Sequence, residues 1–526
     1  MSRANLRYFF FMLAVAAALS VARGHGQEAG PLQGFVTSFL PAIDRGVIAD
    51  LSHSPGSPET LVRESMRHSV VALDRTGASG AHYVAGRVIV KFRDGLSSTS
   101  RVRTMSAVSQ TASVSERPSY ANFDIVRIDP GEDPEAVAAA LRQQPDVEYA
   151  QPAYRVHTAF VPNDPYYKDL QWNLPLIDLE RAWDIQPAAA SNITVAVLDT
   201  GVAYTNVSKT FHAAAFHDDQ GTLYPALGDL LLTFVAAPEL GPASRFVAPR
   251  DFIWDTSVPV DLDGHGTHVS GTIGQLTNNG LGVAGVAFNV KIMPVKVIDS
   301  MWDDIFGSPN FGTDDVVARG IRYAADNGAK IINMSIGREG DPAPVIEDAV
   351  KYAVGKGVFI VIAGGNAFED GNPKEILADI ASRVQGAVSV AAVDPSRAHA
   401  HYSSTGSYIE LSAPGGTDRG FGRNGYVFQQ TYDFMMTDTF LLPPSLFSAP
   451  RFDVLALIGY VGTSMATPHV SGVAAMLMQQ GITDPAAIEA ALERFATDLG
   501  DKGRDNTFGY GLIEARDTLR GLGLAK

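Results

Sequence analysis

The sequence predicts an α/β protein, a mostly parallel sheet flanked by helices, preceded by a small α+β domain. Three observations carry this. Five short apolar runs, Ile193–Leu198, Lys291–Ile298, Lys330–Met334, Val358–Ala363 and Ala387–Ala392, alternate with helical patterns. Continuous apolar runs suit strands covered on both faces, and strand–helix alternation is the pattern of parallel strands joined by crossover helices. Ahead of them, about 70 residues carry period-two strands around a single helical pattern, which suits an α+β unit. Finally, 526 residues exceed one small domain at about 150 residues each.

The N-terminus comes first. Arg3 and Arg7 precede an apolar run from Tyr8 to Val21, too short to span a bilayer, which takes about 20 helical residues. Ser20 and Ala22 place small residues for a cut after Ala22, so residues 1–22 read as an export signal; an uncleaved anchor is the alternative. No later stretch is long and apolar enough to span a membrane, so the mature form is expected not to cross one. Residues 23–80, rich in Gly, Ser, Pro, His and charge, read as a flexible leader.

Residues 81–157 form the expected small domain. Val88–Phe92 and Phe123–Ile128 read as strands, and Val147–Ala150 as a short third. Asp133 offers a helix cap with Pro134 at the first helical position, followed by Ala136, Val137, Ala140 and Leu141 at helical spacing. Residues 158–526 hold the α/β body. There Asp314–Asn327, capped by Thr313, places Val316, Val317, Gly320, Ile321 and Ala324 on one face, and Asp348–Gly355 belongs to a second helix.

Composition narrows the chemistry. With no cysteine, the chain has no disulfide, thiolate metal site or cysteine nucleophile. A net charge of −16 argues against nucleic acid as a partner. The 46% apolar content supplies an ordinary globular core.

Three segments carry reactive groups. Val195–Gly201 runs from a buried-type strand into Asp199-Thr200-Gly201; such an Asp also suits a turn or cap. Asp261–Gly271 holds His265 between two glycines, with His268 three residues on. A Gly-rich turn or a two-His metal site are alternatives, but the segment lacks the Glu of the H-E-x-x-H zinc pattern. Gly462–Gly472 places Ser464 ahead of an apolar helix running to about Gln480, with Pro468 expected in its first turn, where a missing N–H costs nothing. Ser464 reads as a helix cap, or as a nucleophile at the positive end of that helix with its own N–H free for an oxyanion. An Asp, a His and a Ser on Gly-flanked element ends, in that order, is one of the chain orders of the serine-hydrolase triad.

Asp199-Thr200-Gly201, His265-Gly266-Thr267-His268 and Gly462-Thr463-Ser464-Met465-Ala466-Thr467-Pro468-His469 together resemble the subtilisin-family serine proteases, the subtilases. The resemblance covers about residues 160–520, and residues 87–155 are similar to the family's inhibitory propeptide. It implies a subtilisin-like fold and an exported serine endopeptidase made as a zymogen, acting on polypeptides and held by its own propeptide until a cut between Tyr154 and Pro162. Ser464 would be the nucleophile, His265 the base and Asp199 the group that orients it. Asn366, in Ala363-Gly364-Gly365-Asn366, would be the oxyanion donor; a tight turn is the alternative. Ser335, Ile336 and Gly337 would pair with substrate backbone. Ala363, Gly364 and Gly365 would wall a side-chain pocket whose small residues suggest room for large apolar groups. Leu276, Asn278 and Gly280 lie in a loop similar to the family's structural calcium loop; a plain Asn-Gly turn is the alternative. No catalytic cofactor is expected. His268 and His469 are expected to pack or hydrogen-bond.

The resemblance also isolates departures. His265 follows Asp199 by 66 residues and Ser464 follows Asn366 by 98, longer than the family's common stretches. The additions near 205–258 and 417–458 carry Phe234, Phe246, Trp254, Phe434, Phe440 and Phe447, as lids, specificity walls or packing on the body. A catalytically silent scaffold and an esterase are the rival functions. The intact motifs disfavour the first, and the absence of a G-x-S-x-G elbow around Ser464 disfavours the second. Export by a bacterial route, to the periplasm or the medium, fits a chain without disulfides.

Overall fold

The computed structural model describes residues 44–48, 74–76, 82–117, 121–129, 131–154, 160–218 and 220–521. The expected export signal, most of the expected leader and residues 155–159 of the expected cut region lie outside the described residues. Two short strands do fall within the expected leader: Asp44–Ile48, antiparallel to Leu455–Val461, and Asp74–Thr76, antiparallel to the strand that begins at His82. The chain divides into two compact units, a larger one of residues 1–54 and 160–519, which takes in the Asp44–Ile48 strand, and a smaller one of residues 55–159 and 520–526.

In the N-terminal unit the long strand β1 (His82–Phe92) leads to helix α1 (Ser98–Ser106), β2 (Ser113–Glu116), β3 (Asp124–Arg127), helix α2 (Pro134–Arg142) and β4 (Val147–Tyr154). β1 pairs antiparallel with both β3 and β4, and β2 adds outside β3. Alternation along β1 turns Val88, Val90 and Phe92 inward against Val126, Leu141 and Met105. α2 starts as the sequence predicts, with Pro134 at its first position and the Asp133 carboxylate accepting the Glu135 N–H at 3.0 Å. α1 carries no apolar stripe. It buries only Thr104 and Met105, which is why periodicity does not reveal it.

The larger unit is built on seven parallel strands: β5 (Thr194–Asp199), β6 (Arg250–Asp251), β7 (Lys291–Lys296), β8 (Ile331–Met334), β9 (Phe359–Ala363), β10 (Ala387–Val393) and β11 (Leu411–Pro414), in spatial order β6-β7-β5-β8-β9-β10-β11. Five match the predicted runs within two residues. The edge strands β6 and β11 carry charge, Ser and Pro, so their hydrophobic signal is weak. Helices α4 (Asp314–Asp326) and α5 (Pro344–Gly355) bury Val316, Ile321, Ile346 and Val350 against Leu198, Val295, Ile332 and Ile360 of one sheet face. Between successive strands lie α3 (His265–Gly274) and, after the sheet, α6 (Thr463–Gln479); Ser471 of α6 donates to Asn333 of β8 at 2.8 Å.

Two local expectations need correction. Thr313 precedes α4, but its hydroxyl donates to Asp315 Oδ1 rather than capping the helix. Pro468 sits in the second turn of α6, not the first, so Ser464 loses the amide that would have bonded its carbonyl.

The two long additions pack on the body. The first contains an antiparallel hairpin, Val207–Ala213 with Gly228–Phe234. The second contains the hairpin β12 (Val427–Tyr432) and β13 (Leu455–Val461) with the connection between them. Their rings cluster with Trp302 and Phe306 of the body: Phe234 stacks on Phe452 at 4.9 Å, Phe211 on Phe306 at 4.7 Å, and Trp302 stacks on Phe447 and meets Phe440 edge-on, both at 5.8 Å. Phe234, Phe246, Phe434, Phe440 and Phe447 are all buried. Among the described residues no helix is long and apolar enough to cross a membrane.

Candidate functional site

The carboxyl ends of β5, β8 and β9 and the amino ends of α3 and α6 meet in one cleft, as sites in parallel sheets tend to. Asp199 is the last residue of β5, His265 the first of α3 and Ser464 the second of α6. The glycines beside them permit the approach. A Cβ on Gly266 would collide with the Gly201 carbonyl, and one on Gly201 would lie 2.6 Å from the Val260 carbonyl oxygen.

His265 Nδ1 and Asp199 Oδ1 stand 2.7 Å apart, with the Thr200 N–H donating to the same oxygen at 2.8 Å. Asp199 accepts, so Nδ1 carries the proton and Nε2 is the free base. Burial of His265 opposes its charged form. Asp199, with Asp263 and Asp261 behind it, outweighs that penalty and raises its pKa above the ordinary value.

Asp261 organises the turn that carries His265. Its carboxylate is fully buried and accepts from the Thr200 hydroxyl, the Thr267 hydroxyl and N–H, and the Asp263 and Gly264 amides at 2.6–3.0 Å. From the other side, the Thr431 hydroxyl of β12 donates to the Gly264 carbonyl at 2.5 Å. His268 and His469 are buried and hydrogen-bonded. Burial drives their pKa values down to about 3 and about 4. His268 Nε2 faces the Val427 and Ile458 carbonyls at 3.1 Å, and His469 Nδ1 the Met465 carbonyl at 2.8 Å.

Ser464 is 6% exposed, and its hydroxyl donates to the Ser335 carbonyl at 3.1 Å. In return the Ser335 hydroxyl donates to the Ser464 carbonyl at 2.8 Å, supplying the bond that Pro468 cannot. Asn333 Nδ2 holds the Ser335 hydroxyl at 3.0 Å. Asn366 is fixed from α6 as well: its Oδ1 accepts the Thr463 N–H and the Thr463 hydroxyl, both at 2.9 Å, and that hydroxyl accepts the Gly365 N–H at 3.2 Å. With Oδ1 occupied, the Nδ2 donors of Asn366 remain for the cleft.

Ser335, Ile336, Gly337, Ala363, Gly365 and Asn366 line the cleft with Asp199, His265 and Ser464. Gly364 does not. It is packed behind the wall, where its N–H donates to the Val390 carbonyl and a Cβ would meet Ile409 at 2.8 Å. The sequence reading anticipated only small residues around this pocket; the structure adds Glu375 to it.

Leu276, Asn278 and Gly280 lie outside the cleft, on the loop after α3. Asn278 Oδ1 accepts the Asn163 N–H at 3.2 Å, and the Asp164 carboxylate accepts the Asn278 N–H at 2.7 Å. Two buried acids serve this loop, Asp164 and Glu239, the latter packed on Gly282. Burial raises both pKa values, that of Glu239 to about 7, and among the described residues neither forms an ion pair. Protein donors already meet both acids: the Asn278 and Asn279 amides donate to Asp164, and the Gln275 and Gln430 side-chain amides to Glu239. Carboxylate and amide oxygens are the ligand type of a hard cation such as calcium.

Residues 190–511 match the family described as the Subtilase family, and residues 71–153 match the Fervidolysin N-terminal prodomain. The chain belongs to the subtilase family. This subtilase is 30% identical over 433 residues to a "Thermophilic serine proteinase" of Bacillus sp. (strain AK1), covering 82% of this chain and 87% of the relative. It is 29% identical over 393 residues to an "Extracellular protease" of Xanthomonas campestris pv. campestris, covering 72% and 60% respectively. Among solved structures, a protease from Pseudoalteromonas arctica PAMC 21717 superposes with a TM-score of 0.51 at 27% identity, covering 69% of this chain and 99% of the other. The subtilase thus has a subtilisin-type parallel sheet preceded by a prodomain, and it is a member of a serine protease family.

Three residues of the subtilase cleft escaped the sequence reading. Asp261 had a signal, an acid four positions before His265; four of its five donors lie in the neighbouring Asp263–Thr267 and the fifth is Thr200, 61 residues away. Thr463 stands beside Ser464, yet its role depends on Asn366, 97 residues away. Glu375 has no motif around it.

Proposed function

We propose that this subtilase is an exported serine endopeptidase made as a zymogen, with Ser464 as nucleophile, His265 as general base and Asp199 as its orienting carboxylate. The observation that carries the proposal is the buried Asp199–His265 bond, with Ser464 opening onto the same cleft. In the reactive rotamer the Ser464 hydroxyl turns from the Ser335 carbonyl to His265 Nε2, which takes its proton as Oγ attacks the scissile carbonyl. Such hydrogen bonds often tighten only once substrate is bound. The oxyanion meets the Ser464 N–H and Asn366 Nδ2, both held before the reaction starts. His265 then protonates the leaving amine, and water releases the acyl group by the reverse sequence. An extended substrate adds its backbone along Ser335–Gly337, with its side chains directed into the pocket beside Ala363 and Gly365.

Incubation with a fluorophosphonate and with casein tests this, with Ser464→Ala as control. Labelling with proteolysis, both lost in the variant, is expected. Labelling alone means an esterase, and neither means a silent scaffold. The prodomain acts as an intramolecular inhibitor and folding aid. The unit from residue 158 onward should fold poorly by itself and recover when residues 80–157 are added in trans. A structural calcium held by Leu276, Asn278 and Gly280 with Asp164 and Glu239 would neutralise the two acids and brace the loop; it takes no part in the chemistry. The "Extracellular protease" relative supports export.

A further inference from the structure

Glu375, like Ile298, Arg338 and Glu339, lines the cleft without a part in the triad or the oxyanion site, and among these it is the buried acid. It follows β9 by a dozen residues and caps the short helix Ile376–Ala381. It is 95% buried by area, with 5% of its surface exposed, yet it lines the cleft with Ser464. The two carboxylate oxygens differ. Oε1 accepts the Arg338 N–H at 2.6 Å and the Leu377 N–H at 3.3 Å. Oε2 accepts from no protein donor among the described residues. It lies beside Gly337, where a Cβ would come within 2.7 Å of it, and the Glu375 Cβ lies beside Gly365, where an added Cβ would be 3.3 Å away. Gly365 belongs to the segment read above as the wall of the side-chain pocket, and Gly337 to the segment read above as pairing with substrate backbone. The Glu375 side chain therefore sits between the backbone-pairing segment and the pocket wall.

We propose that Glu375 is the specificity-determining residue of the primary pocket and that it selects a cationic side chain, Lys or Arg, at the residue preceding the scissile bond. The inference deepens the endopeptidase reading and rests on it. Its physical basis is an unpaired buried acid. Arg338 also lines the cleft, but its guanidinium bonds Asp314 Oδ1 at 2.9 Å and the Glu339 and Asp341 carbonyls rather than Glu375. No ion pair to Glu375 exists among the described residues. A buried carboxylate without a cation is costly, and a substrate ammonium or guanidinium entering the pocket supplies the missing charge and donors. Access through Oε2 alone suits a single charge-assisted bond, which discriminates by about 10- to 100-fold.

The same burial makes the selection depend on pH. It pushes the Glu375 pKa up to about 7; the Arg338 and Leu377 amides pull it down, as does the Arg338 charge, whereas Glu339 pushes it up. The other groups that face it are Tyr408, from the segment before β11, and Lys374 and Asp379, a mutual ion pair flanking its own helix. In the free enzyme the proton leaves Glu375 only as the pH rises through about 7. A cationic side chain binds the ionised form, so its binding releases that proton to solvent.

The test compares peptides that differ only in the residue before the cleaved bond, Lys, Arg, Leu or Phe. The full chain is allowed to mature, and enzyme is counted by fluorophosphonate labelling. The readout is the ratio of kcat/KM for Lys or Arg to that for Leu, from about pH 6 to about pH 9. Titration of His265 affects every substrate alike and cancels in this ratio. A ratio of about 10–100 at the alkaline end, falling as the pH drops through about 7, is expected. Glu375→Gln keeps an acceptor for the Arg338 and Leu377 amides, and should bring the ratio near one and flatten it against pH. If that variant fails to label, the pH dependence of the unmodified enzyme decides by itself. A preference for Leu or Phe, or a ratio flat with pH, overturns the inference and leaves the endopeptidase reading intact. Neither labelling nor cleavage of any peptide overturns both.

Discussion

Ser335→Ala removes a hydroxyl that does what a proline cannot. Inside α6 the Ser464 carbonyl has no amide to meet, because residue 468 is Pro, and the Ser335 hydroxyl occupies that place at 2.8 Å. Both residues are buried. Truncation leaves a buried carbonyl without a partner, at a cost of about 1–3 kcal/mol. Pro468→Ala restores an N–H at the position from which the helix would bond that carbonyl. The two substitutions should therefore couple: Pro468→Ala offsets part of the damage in the Ser335→Ala background that it has no reason to offset in the parent. A coupling of about 1 kcal/mol is expected, the net worth of one hydrogen bond. The assay is urea unfolding of the four members of the cycle, all carrying Ser464→Ala to prevent autolysis. Tryptophan fluorescence reports on the larger unit alone, since Trp172, Trp183, Trp254 and Trp302 all lie there. Helix propensity and unfolded-state effects of the proline cancel in the cycle. Additivity within about 0.3–0.5 kcal/mol, the scatter of independent sites, refutes the assignment.

Asn366→Ala should lower kcat by about 10²–10³-fold with little change in KM, as expected for the loss of one oxyanion donor; an unchanged kcat in a folded variant removes Asn366 from that role. The free His265 base is lost as pH falls through a pKa raised above the ordinary 6.5, so kcat/KM should rise with pH through a midpoint on the alkaline side of that value. Asp199→Asn should cost about 10⁴-fold in kcat and move the remaining acid limb to lower pH, because the carboxylate that raises His265 is gone; an acid limb that stays put assigns the titration to another group. Chelation with EGTA should lower the thermal midpoint of the mature enzyme, and Asn278→Ala should abolish the difference; equal midpoints with and without chelator exclude the calcium.

The parts of the fold that were legible share a physical cause. β5, β7, β8, β9 and β10 are buried on both faces, so each must be a short continuous apolar run, whatever surrounds it. α2 announces itself through Asp133 and Pro134 because capping is local chemistry. α1, β6 and β11 do not, since a helix with two buried residues and edge strands with charge or proline carry little period. Pro468 falls one turn later than expected for a related reason: where a helix begins is set by Gly462 and the strand before it, not by the apolar stretch that follows.

The sequence by itself singled out the candidate reactive groups. Asp199, His265 and Ser464 stand in Gly-bearing motifs, and at Gly201 and Gly266 the glycine is demanded by close backbone approach. Asn366 and the loop around Asn278 could likewise be singled out as candidates from a few neighbours. What only the tertiary structure decided is what these groups face. The Thr463 hydroxyl that orients Asn366, the Ser335 hydroxyl that completes the Ser464 helix, the aromatic rings that bind both additions to the body and the Glu375 side chain between Gly337 and Gly365 all act across stretches of chain unrelated in sequence. Hydrogen bonding and burial depend on distance in space, and no local pattern encodes which side chain the fold will bring to an open acceptor or an unpaired acid.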